Sequence, residues 1–226
     1  MNVLVIAPHA DDEVLGCGGA IAKHVHTGDH VTVAIVCNRD TSYHTDSDKT
    51  QNITKKQWKE AKLCKEVLGY HNIIKLDFLD MYVDLSGYRK VIKDLEDVFS
   101  QVKPDVVYIP SNTDINTDHT YISDACLVAC RPVQATPPKK VLMYEIPSST
   151  NQGFHHKPGF KSNYYIPLDE SYLEAKITGF LKYTDEVLPY PNSRSPEGLK
   201  AYAQMRGMEC NCGLAEGFYL IYCRDG

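Results

Sequence analysis

Directly after an apolar run, the chain places a His, two Asp and a Glu in one short stretch, His9-Ala10-Asp11-Asp12-Glu13. Imidazole and carboxylate are ordinary ligands of zinc or iron(II), and residues three apart at a helix start can share a face. His9 and Asp12 are therefore candidate metal ligands. Asp11, between them, points elsewhere and is free for proton transfer. A plainer account is that acids in a first helical turn complement the helix dipole, but it leaves the His unexplained. A second polar cluster, Ser111-Asn112-Thr113-Asp114-Ile115-Asn116-Thr117-Asp118-His119, follows another apolar run. Alone, Asp118-His119 reads as a helix cap and a surface His. Brought beside the first cluster, His119 would complete a His-Asp-His triad with a coordination position open to water, which a catalytic site needs.

The elements that must deliver these residues follow from periodicity. Val3 to Ala7 is short and continuously apolar, as suits a strand buried on both faces, and Glu13 to Thr27 has helical spacing. Strands are predicted at His30–Cys37, Asn72–Leu76, Asp105–Pro110 and Lys139–Ile146, and helices at Lys55–Leu68, Tyr88–Val102 and Thr120–Cys130. This strict alternation predicts an α/β fold, a Rossmann-like doubly wound and mostly parallel sheet. In the strand order 3-2-1-4-5, the loops after strands 1 and 4 line one crevice at the topological switch point, so both clusters meet there. After residue 146 the alternation fails. A short extended piece at Tyr164–Ile166, helices at Glu170–Leu188 and Pro196–Met208, and a closing strand at Gly217–Cys223 form an irregular C-terminal portion that completes the site. The expected organisation is one domain over 1–226, a core of 1–146 with 147–226 packed on it.

Composition narrows the partners. The 226 residues are 43% hydrophobic with net charge −5 and scattered basic residues, so neither nucleic acid nor an anionic membrane is an expected partner. No apolar run reaches the roughly 18 residues of a membrane span, and the setting reads as cytoplasmic. The eight Cys lie mostly among apolar residues and read as reduced thiols; Cys210-Asn211-Cys212 is a weak metal signal. Self-association into a homo-oligomer is left open. The polar Asn38–Asn52 segment is long enough to be a lid, and His155-His156 reads as a surface pair. Gly16-Cys17-Gly18-Gly19 lies inside the helix pattern and does not spell GxGxxG, so close packing accounts for it better than a phosphate turn. Asp77, Asp80 and Glu145 end strands at the expected site edge, and Arg194 and Arg206 either contact a polar ligand or pair with carboxylates.

Pro8-His9-Ala10-Asp11-Asp12-Glu13 resembles the His-Pro-Asp-Asp-Glu motif of the LmbE-like (PIG-L) metal-dependent N-deacetylases, with Ala10 in place of the usual Pro. Asn116-Thr117-Asp118-His119 resembles their second motif, commonly His-x-Asp-His, with Asn116 in the first His position. Further similarity lies in Glu60-Ala61 to Leu68-Gly69, Tyr144-Glu145 with Ser148-Ser149-Thr150, and Arg206-Gly207 through Phe218. The resemblance implies a hydrolase that removes acetyl groups from N-acetylated amino sugars or glycoconjugates, using Zn2+ or another divalent ion such as Fe2+. By position it implies His9, Asp12 and His119 as metal ligands, Asp11 as general base, and Asp118 as the group steering His119. Asn116, Glu145 and Arg194 are candidate substrate-binding residues. Lys55 or Lys56 stands nearest a family Arg that has no counterpart upstream of Glu60. Two rivals are a metal-dependent amidase or esterase on a non-sugar substrate, and a non-catalytic nucleotide-binding module; the second leaves His9, Asp11 and Asp12 without a purpose.

Overall fold

The computed structural model describes residues 1–38, 47–153 and 158–224, and of residues 47–52 only the backbone. Most of the Asn38–Asn52 segment expected to form a lid, and the His155-His156 pair, lie outside the described residues. Seven strands form one sheet: β1 (Asn2–Ala7), β2 (His30–Asn38), β3 (Asn72–Leu79), β4 (Val106–Pro110), β5 (Lys140–Tyr144), β6 (Tyr164–Pro167) and β7 (Ala215–Cys223). Among the described residues six α-helices accompany it: α1 (Asp12–His26), α2 (Ser47–Leu68), α3 (Tyr88–Val102), α4 (Thr117–Ala129), α5 (Glu170–Phe180) and α6 (Pro196–Glu209). The strand order is β3-β2-β1-β4-β5-β7-β6. The first five strands run parallel, and β7 and β6 add antiparallel to β5 and β7. This is the doubly wound α/β sheet expected, with β1 and β4 adjacent at the switch point.

Why β1 is continuously apolar is visible in its burial. Val3, Val5 and Ala7 enter one core layer with α1, α2 and α5, while Leu4 and Ile6 enter the other with α3 and α4. A strand whose successive side chains point to opposite faces must be apolar at every position when both faces are covered. Truncating Leu4 to Ala in this core would cost about 2–5 kcal/mol. The α1 glycines serve packing, as their place in the helix suggests: a Cβ on Gly16 would lie 2.2 Å from the Tyr144 ring, and one on Gly19 would lie 2.5 Å from Leu168.

Several boundaries differ from expectation, α2 for one starting at Ser47 rather than Lys55, and three of the differences matter most here. The α4 helix begins at Thr117 rather than Thr120 because Asn116 caps it, its Oδ1 accepting from the Asp118 amide at 2.9 Å. That puts Asp118 and His119 side by side in the first turn, aimed in different directions. β3 continues to Leu79, pairing with β2 across a register shift between Ile35 and Cys37, and so carries the chain to Asp80 beside the end of β1. α5 stops at Phe180 rather than Leu188, and the next turn drives Tyr183 into the core, fully buried.

Candidate active site

The β1–α1 turn and the β4–α4 loop meet at the carboxyl edge of the sheet. His9 Nδ1 lies 3.2 Å from His119 Nε2 and 3.3 Å from Asp12 Oδ2, and His119 Nε2 lies 3.2 Å from the same Asp12 oxygen. Three donor atoms thus form a nearly equilateral triangle. Ligands about 2.0–2.2 Å from a tetrahedral ion stand about 3.3–3.6 Å apart, so the triangle, at the short end of that range, fits a divalent cation bound by two nitrogens and one oxygen. Among the described residues a second cluster, His9, Cys37 and Asp118, has comparable spacing. Burial pushes the Cys37 thiol up to about 11, which makes it the poorer ligand at neutral pH.

The far nitrogens of both imidazoles face carboxylates. His9 Nε2 lies 3.1 Å from Asp118 Oδ2 and 3.0 Å from Asp80 Oδ1, while His119 Nδ1 lies 3.1 Å from Asp114 Oδ2. Carboxylates behind ligating imidazoles set their tautomer and orientation. The expectation that Asp118 steers His119 is corrected here: it faces His9 and accepts the Met81 amide at 2.7 Å, and Asp114 takes the place behind His119. Neighbours in a helix diverge by about 100°, so Asp118 meets the Nε2 edge of His9 while His119 meets its Nδ1 edge. Asp114 is itself fixed: its Oδ2 accepts from Ser149 Oγ at 2.8 Å and Thr150 Oγ1 at 2.5 Å. Asp114 lies two residues before the helix cap and its Oδ1 also accepts the Asn116 amide at 2.8 Å, so its spacing does not distinguish a group behind His119 from an Asx turn.

The electrostatics favour a cation. Burial works against charge on every member, yet the carboxylates around His119 overcome it and raise that imidazole to about 9, and His9 is raised well above its ordinary value by Asp118, Asp12 and Asp80. Asp12 is likewise held below the carboxylate range by His119 and His9 despite its burial. Two imidazoles ringed by Asp12, Asp80, Asp114 and Asp118 therefore draw in positive charge, which a divalent ion meets as well as protons do.

Asp11 stands beside the triangle as the N-cap of α1, with φ 120° and ψ −26°. A non-glycine residue held there pays on the order of 1–3 kcal/mol, a strain that concentrates at functional sites. Burial pushes its carboxyl well upward, opposed by the Arg194 guanidinium, whose Nη1 lies 3.0 Å from Asp11 Oδ2. Arg194 also pairs with Glu186 and donates from Nε to Ser148 Oγ at 2.9 Å. Among the described residues it is the only Arg or Lys lining the cleft, which Asn116, Ser149 and Gln57 also border. Neither Lys55 nor Lys56 borders it; α2 presents Gln57 instead, and Lys56 pairs with Asp185 at 2.6 Å.

Glu145 does not border this cleft either, contrary to its expected place. Its Oε1 accepts from Arg206 Nε at 2.7 Å and its Oε2 from Asn151 at 2.6 Å, because Glu145, just past the end of β5, faces Arg206 of α6 while Tyr144 before it points to β1 and α1. Asp77 pairs on the surface with Lys75 and Asn38. Asp80, by contrast, is brought in.

Known proteins match the chain at several levels. The family model described as PIG-L, GlcNAc-PI de-N-acetylase, matches residues 4–130. An uncharacterized deacetylase, YaiS, of Escherichia coli (strain K12) is 27% identical over 187 residues, 80% of this chain and 90% of that protein. The N,N'-diacetylchitobiose deacetylase from Pyrococcus horikoshii, complexed with its inhibitor, superposes with TM-score 0.77 at 21% identity over 97% of this chain and 83% of its own. GalB, a 4-carboxy-2-hydroxymuconate hydratase from Pseudomonas putida KT2440, shares the fold with TM-score 0.74 at 20% identity over 100% and 98% of the two chains.

Proposed function

The chain belongs to the PIG-L family, and from that premise we propose that it is a metal-dependent hydrolase removing an acetyl group from an N-acetylated amino sugar or its conjugate. The observation that carries this reading is the triangle of His9 Nδ1, Asp12 Oδ2 and His119 Nε2, 3.2–3.3 Å on each side, with the Arg194-paired carboxylate of Asp11 next to it. His9, Asp12 and His119 would hold Zn2+ or another divalent ion such as Fe2+. When bound, such an ion lowers the pKa of water from about 15.7 to about 7 and polarises an amide carbonyl.

The chain's own residues do the rest. Asp11 accepts the proton of the attacking water and returns it to the departing amine nitrogen, a role worth about 100- to 10,000-fold. Arg194 opposes the rise that burial gives the Asp11 carboxyl and lines the cleft where substrate would bind. Asp114 and Asp118 hold His119 and His9 in their ligating orientations. Asn116 spends its Oδ1 on the α4 cap, which leaves Nδ2 to donate to a substrate oxygen. The whole of 1–226 works as one domain, with 147–226 contributing Ser149 and Arg194 to the cleft. Eight free thiols suit a reducing, cytoplasmic setting, and no described helix is long and apolar enough to cross a membrane.

The test is elemental analysis of chelator-free protein combined with acetate release from N-acetylglucosamine and its conjugates. One metal per chain, lost in His119→Ala with the activity, supports the reading; absence of any bound metal after zinc or iron(II) is added would sink it. A hydratase sharing the fold keeps a second reading in view, water activation for a non-sugar amide or ester, and metal with no acetate release from any sugar in the panel would favour it.

A further inference from the structure

Glu13 closes the first motif, is fully buried, and has no part in the chemistry assigned above. Its Oε2 accepts the backbone amide of Asp11 at 3.0 Å, and its Oε1 accepts the Tyr183 hydroxyl at 2.5 Å. Both oxygens are thereby committed, one to the strained residue of the site and one to a side chain from the turn after α5. Burial raises the Glu13 carboxyl, and these two donors oppose the rise. Dipole complementation at the start of α1 would ask only for an acid near the helix end; it would not require a buried one bonded back to the residue two before it.

We propose that Glu13 and Tyr183 are positioning residues that hold Asp11 in its left-handed backbone conformation and so aim its carboxylate at the water beside the His9–Asp12–His119 triangle. The α1 helix alone does not secure that conformation. Asp11 offers no side-chain bond to the helix amides, and its φ of 120° is one that L residues rarely adopt. What fixes it is an amide that finds its acceptor only in this geometry, together with carbonyl bonds from the Val14 and Leu15 amides at 3.2 and 2.9 Å. Tyr183 in turn fixes Glu13, and it lies outside the residues matched by the family model. The C-terminal portion thus acts on Asp11 twice, on its side chain through Arg194 and on its backbone through Tyr183 and Glu13.

The proposal rests on Asp11 being the proton-transfer group, so its test has one readout that does not depend on activity. Amide hydrogen exchange at Asp11, followed by NMR in the metal-loaded full chain, is expected to be slow in wild type and fast in Glu13→Ala, with Glu13→Gln close to wild type because its amide oxygen still accepts. Kinetically, Glu13→Ala is expected to lower kcat about 100-fold, the scale of an ångström of misplacement, with KM and metal content nearly unchanged, and Tyr183→Phe to lower it less. Phe180→Leu, a core change behind the same helices, controls for lost stability and should keep kcat. Equal Asp11 protection in wild type and Glu13→Ala would overturn the proposal, as would a kcat loss shared by Phe180→Leu at matched stability. A wild type that releases no acetate would defeat the deacetylase reading instead, and the exchange measurement would still decide the hydrogen bond.

Discussion

Arg194 and Arg206 have the same chemistry and opposite employment. Arg206 is buried between Glu145 and Glu209, with Nη1 at 2.8 Å from Glu209 and Nε at 2.7 Å from Glu145, and a Cβ on Gly217 would meet its Cδ at 2.8 Å. Its Nε and Nη2 both meet Glu145, which ties α6 to the segment just past β5. Arg194 instead lies at the rim of a cleft, shared between Asp11, Glu186 and Ser148, with one of its partners the carboxylate of the backbone-strained Asp11 beside the His9–Asp12–His119 triangle. A guanidinium–carboxylate pair therefore says little about purpose until one knows whether the carboxylate keeps a face toward a ligand. Buried pairs of the first kind resist removal of either partner but are weak evidence of net stabilisation.

Substitutions should pull the two regions apart. The largest effect belongs to the Arg194 side: Asp11→Asn is expected to lower acetate release about 100- to 10,000-fold while metal stays at one per chain, measured by steady-state kinetics and elemental analysis. Retained turnover would mean that the Arg194 cluster is as structural as the other. Next comes Arg206→Ala, which strands Glu145 and should cost about 3–5 kcal/mol in denaturant unfolding, with kcat of the folded protein preserved. A selective loss of kcat at unchanged stability would break the contrast from that side. Arg194→Lys removes the fork but keeps the charge, and is expected to reduce kcat/KM roughly tenfold, about one charge-assisted hydrogen bond, with little change in Tm. Asp77→Asn, on the exposed edge of β3, should move stability by no more than about 0.5 kcal/mol and leave kinetics alone; a clear rise in KM would return it to the cleft.

Much of this was legible beforehand because it is local. Alternating apolar strands and amphipathic helices announced the five parallel strands, and the switch-point rule placed the loops after β1 and β4 together. Residue types in those loops named His9, Asp12 and His119 as neighbours-to-be. Less legible was everything that needs the direction of one side chain. Asp114 was one unassigned member of a polar cluster and stands behind His119; Asp118 looked like the partner of its neighbour and serves His9; Glu145 sits on the anticipated edge but turns to Arg206. Tyr183 carried no signal at all, since it fell inside a stretch read as continuous helix.

What the sequence determined on its own was the layered sheet and the identity of the groups near its switch point, because periodicity and composition act over a few residues at a time. Which carboxylate faces which imidazole, which arginine meets the cleft, and how the Asp11 backbone is held were decided only by the tertiary structure. Those outcomes depend on angles of about 100° between helix neighbours and on hydrogen-bond distances between residues far apart in the chain, as with the bond from Tyr183 to Glu13.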